Sequence, residues 1–229
     1  MDELCDFLVA GTQTTQTVTQ FVISHFATDP ESLSRVRAEF DSVIDPSSTK
    51  NLAADDYEKM LRKELTMDSC QDFTYLSYVI QEALRYNPPL PVTTGLHLVE
   101  QDTQVGGLMV KAKDTILINI LGLHRNSKQW QRPNEFLPDR FDPTHPLVKT
   151  PTGQKRHTSS FLPFSGGKRI CFGKTFAENV LRMTLSLMAQ RFDFEFVDKA
   201  TYNANSLPQI VINQSHYPEL KVKLTKRRF

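Results

Sequence analysis

The sequence predicts a mainly helical α+β protein with small β-sheets, on three observations. Apolar residues recur at helical spacing in several separated segments. Short, partly alternating runs between residues 96 and 120, and again near the C-terminus, read as strands. Residues 125–165 carry neither period and are rich in Pro, Asp, Thr and Ser, which reads as a long loop with a job or a partner.

The elements follow in order. Phe7, Ala10, Thr14, Val18, Phe21, Val22 and His25 lie at helical spacing over roughly the first 27 residues, around a poor helix-forming run, Gly11-Thr12-Gln13-Thr14-Thr15. A second helix starts at Asp29 as N-cap, with Pro30 and Glu31 in its first turn and a stripe of Leu33, Val36 and Phe40. Residues 45–72 are polar and irregular, with room for one short helix near 55–63. A third helix, about Tyr75–Tyr86, presents Leu76, Val79, Ile80, Ala83 and Leu84 and stops at Pro88-Pro89. Strands are predicted at Leu96–Glu100, Leu108–Val110 and Thr115–Ile120, with a tight turn at Gly106-Gly107. A last helix follows Cys171, with Phe176, Val180, Leu181 and Met188 on one face, and Gln209–Lys223 reads as two β segments around Tyr217-Pro218.

Composition narrows the function. The 229 residues suffice for one domain, or a large part of one. With 27 Lys and Arg against 26 Asp and Glu, the net charge of +1 gives no field that would draw nucleic acid. Three scattered cysteines, Cys5, Cys70 and Cys171, form no disulfide framework, and no CxxC pair suggests zinc. The start, Met1-Asp2-Glu3, is acidic and the apolar run after it breaks at Gly11, so no secretory signal is expected here. No apolar run of about 20 residues, the length needed to span a bilayer, occurs. The late cluster of Phe161, Phe164, Phe172, Phe176, Phe192, Phe194 and Phe196 suggests an aromatic core or a pocket for a flat apolar ligand.

The strongest chemical signal is the run from Phe164 to Gly173. Gly166 and Gly167 let the backbone turn tightly. Cys171 then stands at the expected start of a helix, whose dipole and free N–H groups favour a thiolate, an iron ligand that promotes O–O cleavage. A lone cysteine is otherwise more often a buried structural residue. Glu82 and Arg85, three apart on one helix, share a face and can pair. Thr14 can bond back to the Ala10 carbonyl and open its helix locally, while Gly11 leaves space there.

Phe164, Gly167, Arg169, Cys171 and Gly173 match FxxGxRxCxG, the haem-binding signature of the cytochrome P450 family, which this sequence resembles at every signature position. Glu82-Ala83-Leu84-Arg85 resembles that family's ExxR motif. Pro138-Asp139-Arg140-Phe141 is similar to its PERF segment, with Asp139 where Glu is commoner. Ala10-Gly11-Thr12-Gln13-Thr14-Thr15 resembles its oxygen-binding helix, with Gln13 where an acid is usual.

The resemblance implies the P450 fold from the oxygen-binding helix to the last β hairpin, so residues 1–229 are expected to form one partial domain, the C-terminal haem-ligating half, of eukaryotic microsomal type. It implies haem b held by Cys171, with Arg169, and His97 in its strand, toward the propionates. Gly11 and Thr14 would serve dioxygen and its protons, with Gln13 altering the relay. Glu82, Arg85 and Arg140 would form a structural network behind the haem, and His124, Arg125 and Trp130 would be structural. Ala10, Val92, Thr93, Thr94 and residues 214–217 would line the substrate pocket, and Lys168 and Lys174 would face a redox partner. The implied activity is insertion of one oxygen atom into a lipophilic substrate. Electrons would come from NADPH through a flavoprotein reductase, at the cytosolic face of the endoplasmic reticulum membrane. Two alternatives remain. One is a truncated, non-catalytic fragment that binds no haem. The other is a haem-thiolate enzyme that rearranges peroxides, a kind that tends to lose the threonine at position 14.

Overall fold

A computed structural model describes residues 2–44, 59–61, 63–93, 97–198 and 221–227, with the backbone alone for residues 2–6 and 97. Among the described residues the fold is carried by α1 (Asp2–Thr28), α2 (Pro30–Val43), α3 (Thr74–Tyr86), α4 (Ile120–His124) and α5 (Lys174–Arg191), and residues 59–61 and 63–64 are helical as well. Three two-stranded antiparallel ladders accompany them. β1 (His97–Leu98) pairs with β4 (Thr115–Ile116), β2 (Thr103–Val105) with β3 (Leu108–Val110), and β5 (Phe192–Phe196) with β6 (Val222–Lys226). No helix among the described residues is long and apolar enough to cross a membrane.

The four long helices bury their apolar faces against one another. Phe21, Val22 and Phe26 of α1, Leu33, Val36 and Phe40 of α2, Leu76, Val79 and Ala83 of α3, and Leu181, Leu185 and Ala189 of α5 share one core. Fully burying each large side chain is worth about 1.5–3 kcal/mol, and this core positions α1 and α5.

Local signals set the starts of α2 and α4, and a neighbour supplies that of α3. Asp29 caps α2, accepting from the Ser32 N–H at 2.9 Å, with Pro30 next to it. Helix α3 has no side-chain cap of its own. The Glu39 carboxylate of α2 serves instead, accepting from the Tyr75 and Leu76 N–H groups at 2.6 and 2.9 Å, although burial raises its pKa. Arg37 does the converse at the end of α5, donating to the Ala189 and Phe192 carbonyls at 2.8 and 2.7 Å.

Several expectations need correction. Helix α1 is not opened at its threonine-rich middle and runs continuously. Thr12, Thr14, Thr17 and Thr19 each donate to the carbonyl four residues back, at 2.6–2.9 Å, which satisfies the hydroxyls without breaking the ladder. The β-branched run 115–120 gives strand only at Thr115–Ile116, because the Asn119 side chain accepts from Gly122 N–H at 2.8 Å and starts α4 at Ile120. Gly106 and Gly107 turn with positive φ, as expected, but the partner strand Thr103–Val105 had no alternation to mark it. Helix α5 starts at Lys174, three residues beyond Cys171. Its buried stripe is Leu181, Leu185 and Ala189, and Phe176 stays exposed. The partner of Phe192–Phe196 is Val222–Lys226; residues 209–220 lie outside the described residues.

Candidate active site

A cavity of about 660 Å³ opens where α1, the loop around Cys171, the start of α5 and the segment after α3 converge. Helix α1 contributes Phe7, Ala10, Gly11, Thr14, Thr15 and Val18. The cysteine loop contributes Leu162, Pro163, Phe164, Ser165, Arg169, Cys171, Phe172 and Gly173. Leu90, Val92, Thr93 and Ile120 close another side. The volume falls within the range of about 300–1,000 Å³ that holds small-molecule cofactors and ligands.

Ala10, Gly11, Thr14, Val92, Thr93, Phe164, Arg169, Cys171 and Gly173 thus meet around one space, though they come from three distant stretches of sequence. Gln13 is exposed and does not line it. Gly167 does not line it either; its φ of 66° is what the loop needs from glycine. The side chain of His97, and Thr94 and residues 214–217, lie outside the described residues. Nothing in the sequence marks Phe7, Leu90, Ile120, Leu162 or Ser165 as wall residues, since their apolar or small character is shared with the core.

The loop is shaped by its backbone. Cys171 N–H donates to the Phe164 carbonyl at 2.9 Å, closing the loop, and Ser165 N–H donates to Leu162 at 3.1 Å. Ser165 holds φ 61°, a left-handed conformation uncommon outside glycine. Cys171 is a free, exposed thiol. A Cβ added at Gly173 would sit 3.8 Å from its sulfur, filling the space beside it. A Cβ added at Gly11 would meet nothing within 4 Å. Both glycines therefore leave room where a flat ligand would approach the sulfur and the Thr14 helix. No group of three His, Cys, Asp or Glu side chains gathers among the described residues. An iron at Cys171 would bring most of its ligands with it, as a macrocycle does. The residues present fit haem.

Behind the cavity wall lies a buried charge network. The Glu82 carboxylate accepts from Arg85 Nε and Nη2 at 2.7 and 2.8 Å, from Arg140 Nε at 2.9 Å and from Leu137 N–H at 2.7 Å. All three side chains have zero solvent exposure. The other guanidinium N–H groups donate to the carbonyls of His124, Pro133 and Glu135 from Arg85, and of Gln131, Arg132 and Glu135 from Arg140. Two guanidiniums against one carboxylate leave a buried excess of positive charge, which these carbonyl dipoles and the Trp130 ring offset. Sequence reasoning missed Arg156, which stacks 4.2 Å above Trp130 and donates to the Arg140 carbonyl at 2.9 Å. Burial pushes its pKa down to about 10. Arg35, also missed, grips Asp139 through two hydrogen bonds of 2.9 and 3.3 Å. The shorter acid at the PERF position thereby ties α2 to the segment carrying Arg140.

Two histidines are held neutral by burial, although the Asp29 carboxylate lies 3.7 Å from His25 Nε2. His25 packs 4.2 Å from the Phe136 ring, and burial lowers its pKa to about 4 against a weaker pull from Asp29. Burial, then Arg85, lower that of His124 to about 4 as well. Each is neutral when folded and protonates near pH 6.5 when unfolded, so the unfolded state binds more protons between these values. Stability is full above pH 6.5 and falls toward pH 4, by about 1.4 kcal/mol per pH unit per histidine. Urea midpoints should therefore drop between pH 7 and pH 5, with a shallower drop in His25→Leu; equal slopes would refute the assignment to His25.

The model of the cytochrome P450 family matches residues 1–221. Cytochrome P450 4A24 of Sus scrofa is 29% identical over 96% of this chain and 38% of its own length. Steroid 17-alpha-hydroxylase/17,20 lyase of Rattus norvegicus is 29% identical over 97% of this chain and 39% of its own. A solved zebra fish cytochrome P450, determined with abiraterone, superposes with a TM-score of 0.69 at 28% identity, covering 97% of this chain and 47% of that one. The chain thus spans about two fifths of the length of these curated relatives.

Proposed function

This chain belongs to the cytochrome P450 family, and from that premise we propose that it is the haem-ligating part of a haem-thiolate monooxygenase acting on a lipophilic substrate. The observation that carries the proposal is the cavity that brings Cys171 to the same space as Gly11 and Thr14. Cys171 would ligate the iron of haem b, and Arg169 and His97 would bind its propionates. Phe164 and Gly173 shape the bed around the sulfur. When bound, haem activates dioxygen with electrons delivered from NADPH by a flavoprotein reductase.

The chain's own residues supply position and protons. Gly11 leaves space on α1 for a small ligand. The Thr14 hydroxyl donates to the Ala10 carbonyl at 2.7 Å, so its oxygen retains lone pairs that can accept a hydrogen bond in the cavity. Ala10, Val92 and Thr93 line the cavity where a substrate would lie, and Thr94 is assigned to the same pocket by the family resemblance. Relatives named as a steroid 17-alpha-hydroxylase and a taurochenodeoxycholic 6 alpha-hydroxylase support a hydroxylation of a lipophilic molecule. Glu82, Arg85 and Arg140 hold the loops behind the site. Residues 1–229 are one partial domain of the enzyme, which works at the cytosolic face of the endoplasmic reticulum membrane.

The test is the absorption spectrum of the reduced, carbon-monoxide-treated protein. The family's red-shifted band supports the reading, and a protein that takes up no haem shows the chain to be a non-catalytic fragment, the reading that exposed Cys171 and Phe172 would favour. Gln13 stands where a carboxylate would ionise, and an amide does not titrate near neutral pH. Proton delivery through this helix is therefore slower, and Gln13→Glu should lower the hydrogen peroxide released per NADPH consumed. Unchanged release would count against a relay at this position.

A further inference from the structure

Among the buried polar groups outside the cavity, His124 stands apart because it joins the charge network to the cysteine loop. We propose that His124 is a positioning residue. Its Nε2 holds the Leu162 backbone N–H and so fixes the entry of the loop that presents Cys171, an inference resting on Cys171 as the iron ligand.

The geometry is direct. His124 ends α4 and has no solvent exposure. Its Nε2 accepts from Leu162 N–H at 2.9 Å. That nitrogen must be unprotonated, so the neutral ring carries its proton on Nδ1. Nδ1 is buried and makes no well-formed hydrogen bond among the described residues; the backbone of Arg85 and Leu84 lies near the ring and favours a proton on it only weakly against burial. A ring present only to fill space would not need to bury a poorly bonded N–H; phenylalanine would fill the same volume without that penalty. What the site retains from histidine is the acceptor.

The connections run on from both ends. On one side the His124 carbonyl accepts from Arg85 Nη1 at 3.0 Å, and Arg85 holds Glu82. On the other, the Leu162 carbonyl accepts from Ser165 N–H, and the Phe164 carbonyl accepts from Cys171 N–H. Residues 161–166 belong to no helix or strand, so this side-chain contact does for the segment what a ladder does for a strand. The burial and the Arg85 charge that depress the His124 pKa keep the acceptor available at neutral pH.

Two substitutions in the full-length, haem-loaded protein separate positioning from bulk. His124→Gln places an amide oxygen near the Nε2 position, and His124→Phe keeps a ring without an acceptor. In His124→Phe, Leu162 amide exchange should speed up by about tenfold or more. A larger share of the reduced carbon-monoxide complex should also leave the thiolate-type band for the shorter-wavelength form. His124→Gln should restore both toward wild type. Nitrogen chemical shifts of labelled histidine should show the Nδ1–H tautomer for His124.

The proposal fails if His124 carries its proton on Nε2. It fails equally if His124→Phe lowers only the melting temperature, with band and Leu162 exchange unchanged. Absence of the thiolate band in the wild-type protein would instead overturn the haem-thiolate reading, and the tautomer and Leu162 exchange would still decide whether the contact holds the loop.

Discussion

Glu82→Ala is expected to lower the thermal transition by roughly 6–20 °C and to leave little soluble, haem-loaded protein. The substitution removes the single carboxylate that faces two guanidiniums with zero exposure. Breaking a buried pair costs about 3–5 kcal/mol, because the stranded charge has no water to take it up. Here two charges are stranded, and the Leu137 N–H loses its acceptor as well. A domain is stable by only about 5–15 kcal/mol, so this one loss is a large fraction of the whole. Arg85→Lys should also fail. All five N–H groups of Arg85 are engaged in a fixed fork, and an ammonium has three donors. Circular dichroism melts and soluble yield measure both variants; a Glu82→Ala transition within a few degrees of wild type would show that the network is dispensable.

Cys171→Ser should have the opposite profile, with the fold intact and the chemistry gone. Cys171 is exposed in an irregular loop, and serine differs by one atom. The stability change should stay within about 0.5 kcal/mol, one or two degrees. The sulfur ligand is lost, however, and a hydroxyl remains protonated near neutral pH and binds iron weakly. The thiolate-type band of the reduced carbon-monoxide complex should vanish, and product formation with it. Survival of that band in the serine variant would mean that another residue ligates the iron. Together the two variants separate residues that hold the site from the residue that performs its chemistry.

The departure at Asp139 shows how a motif and its surroundings divide the work. Aspartate is shorter than the glutamate the family commonly has there, and Arg35 spans the gap with two hydrogen bonds while lying 3.7 Å over the Tyr75 ring. The pair is partly exposed, so it contributes less than the buried triad.

The sequence by itself determined what depends on local order. Helical spacing placed α1, α2 and α3 within a residue or two, since an apolar stripe repeats every turn. Asp29 and Pro30 marked the start of α2, since a cap acts within one turn. The three-residue step from Glu82 to Arg85 put both on one face, and the spacing around Cys171 carried the family. The tertiary structure decided what depends on residues far apart in the chain. It withdrew Gln13 and Gly167 from the cavity wall, gave α3 a cap from Glu39, set Arg156 over Trp130 and brought Leu162 to His124. It also made Ile120, the expected end of a strand, the first residue of a helix. Periodicity and capping act over a few residues and leave a trace in the chain. A contact between residues 38 or 104 positions apart, as at His124 and Arg35, leaves none, because it forms only once the helices have packed.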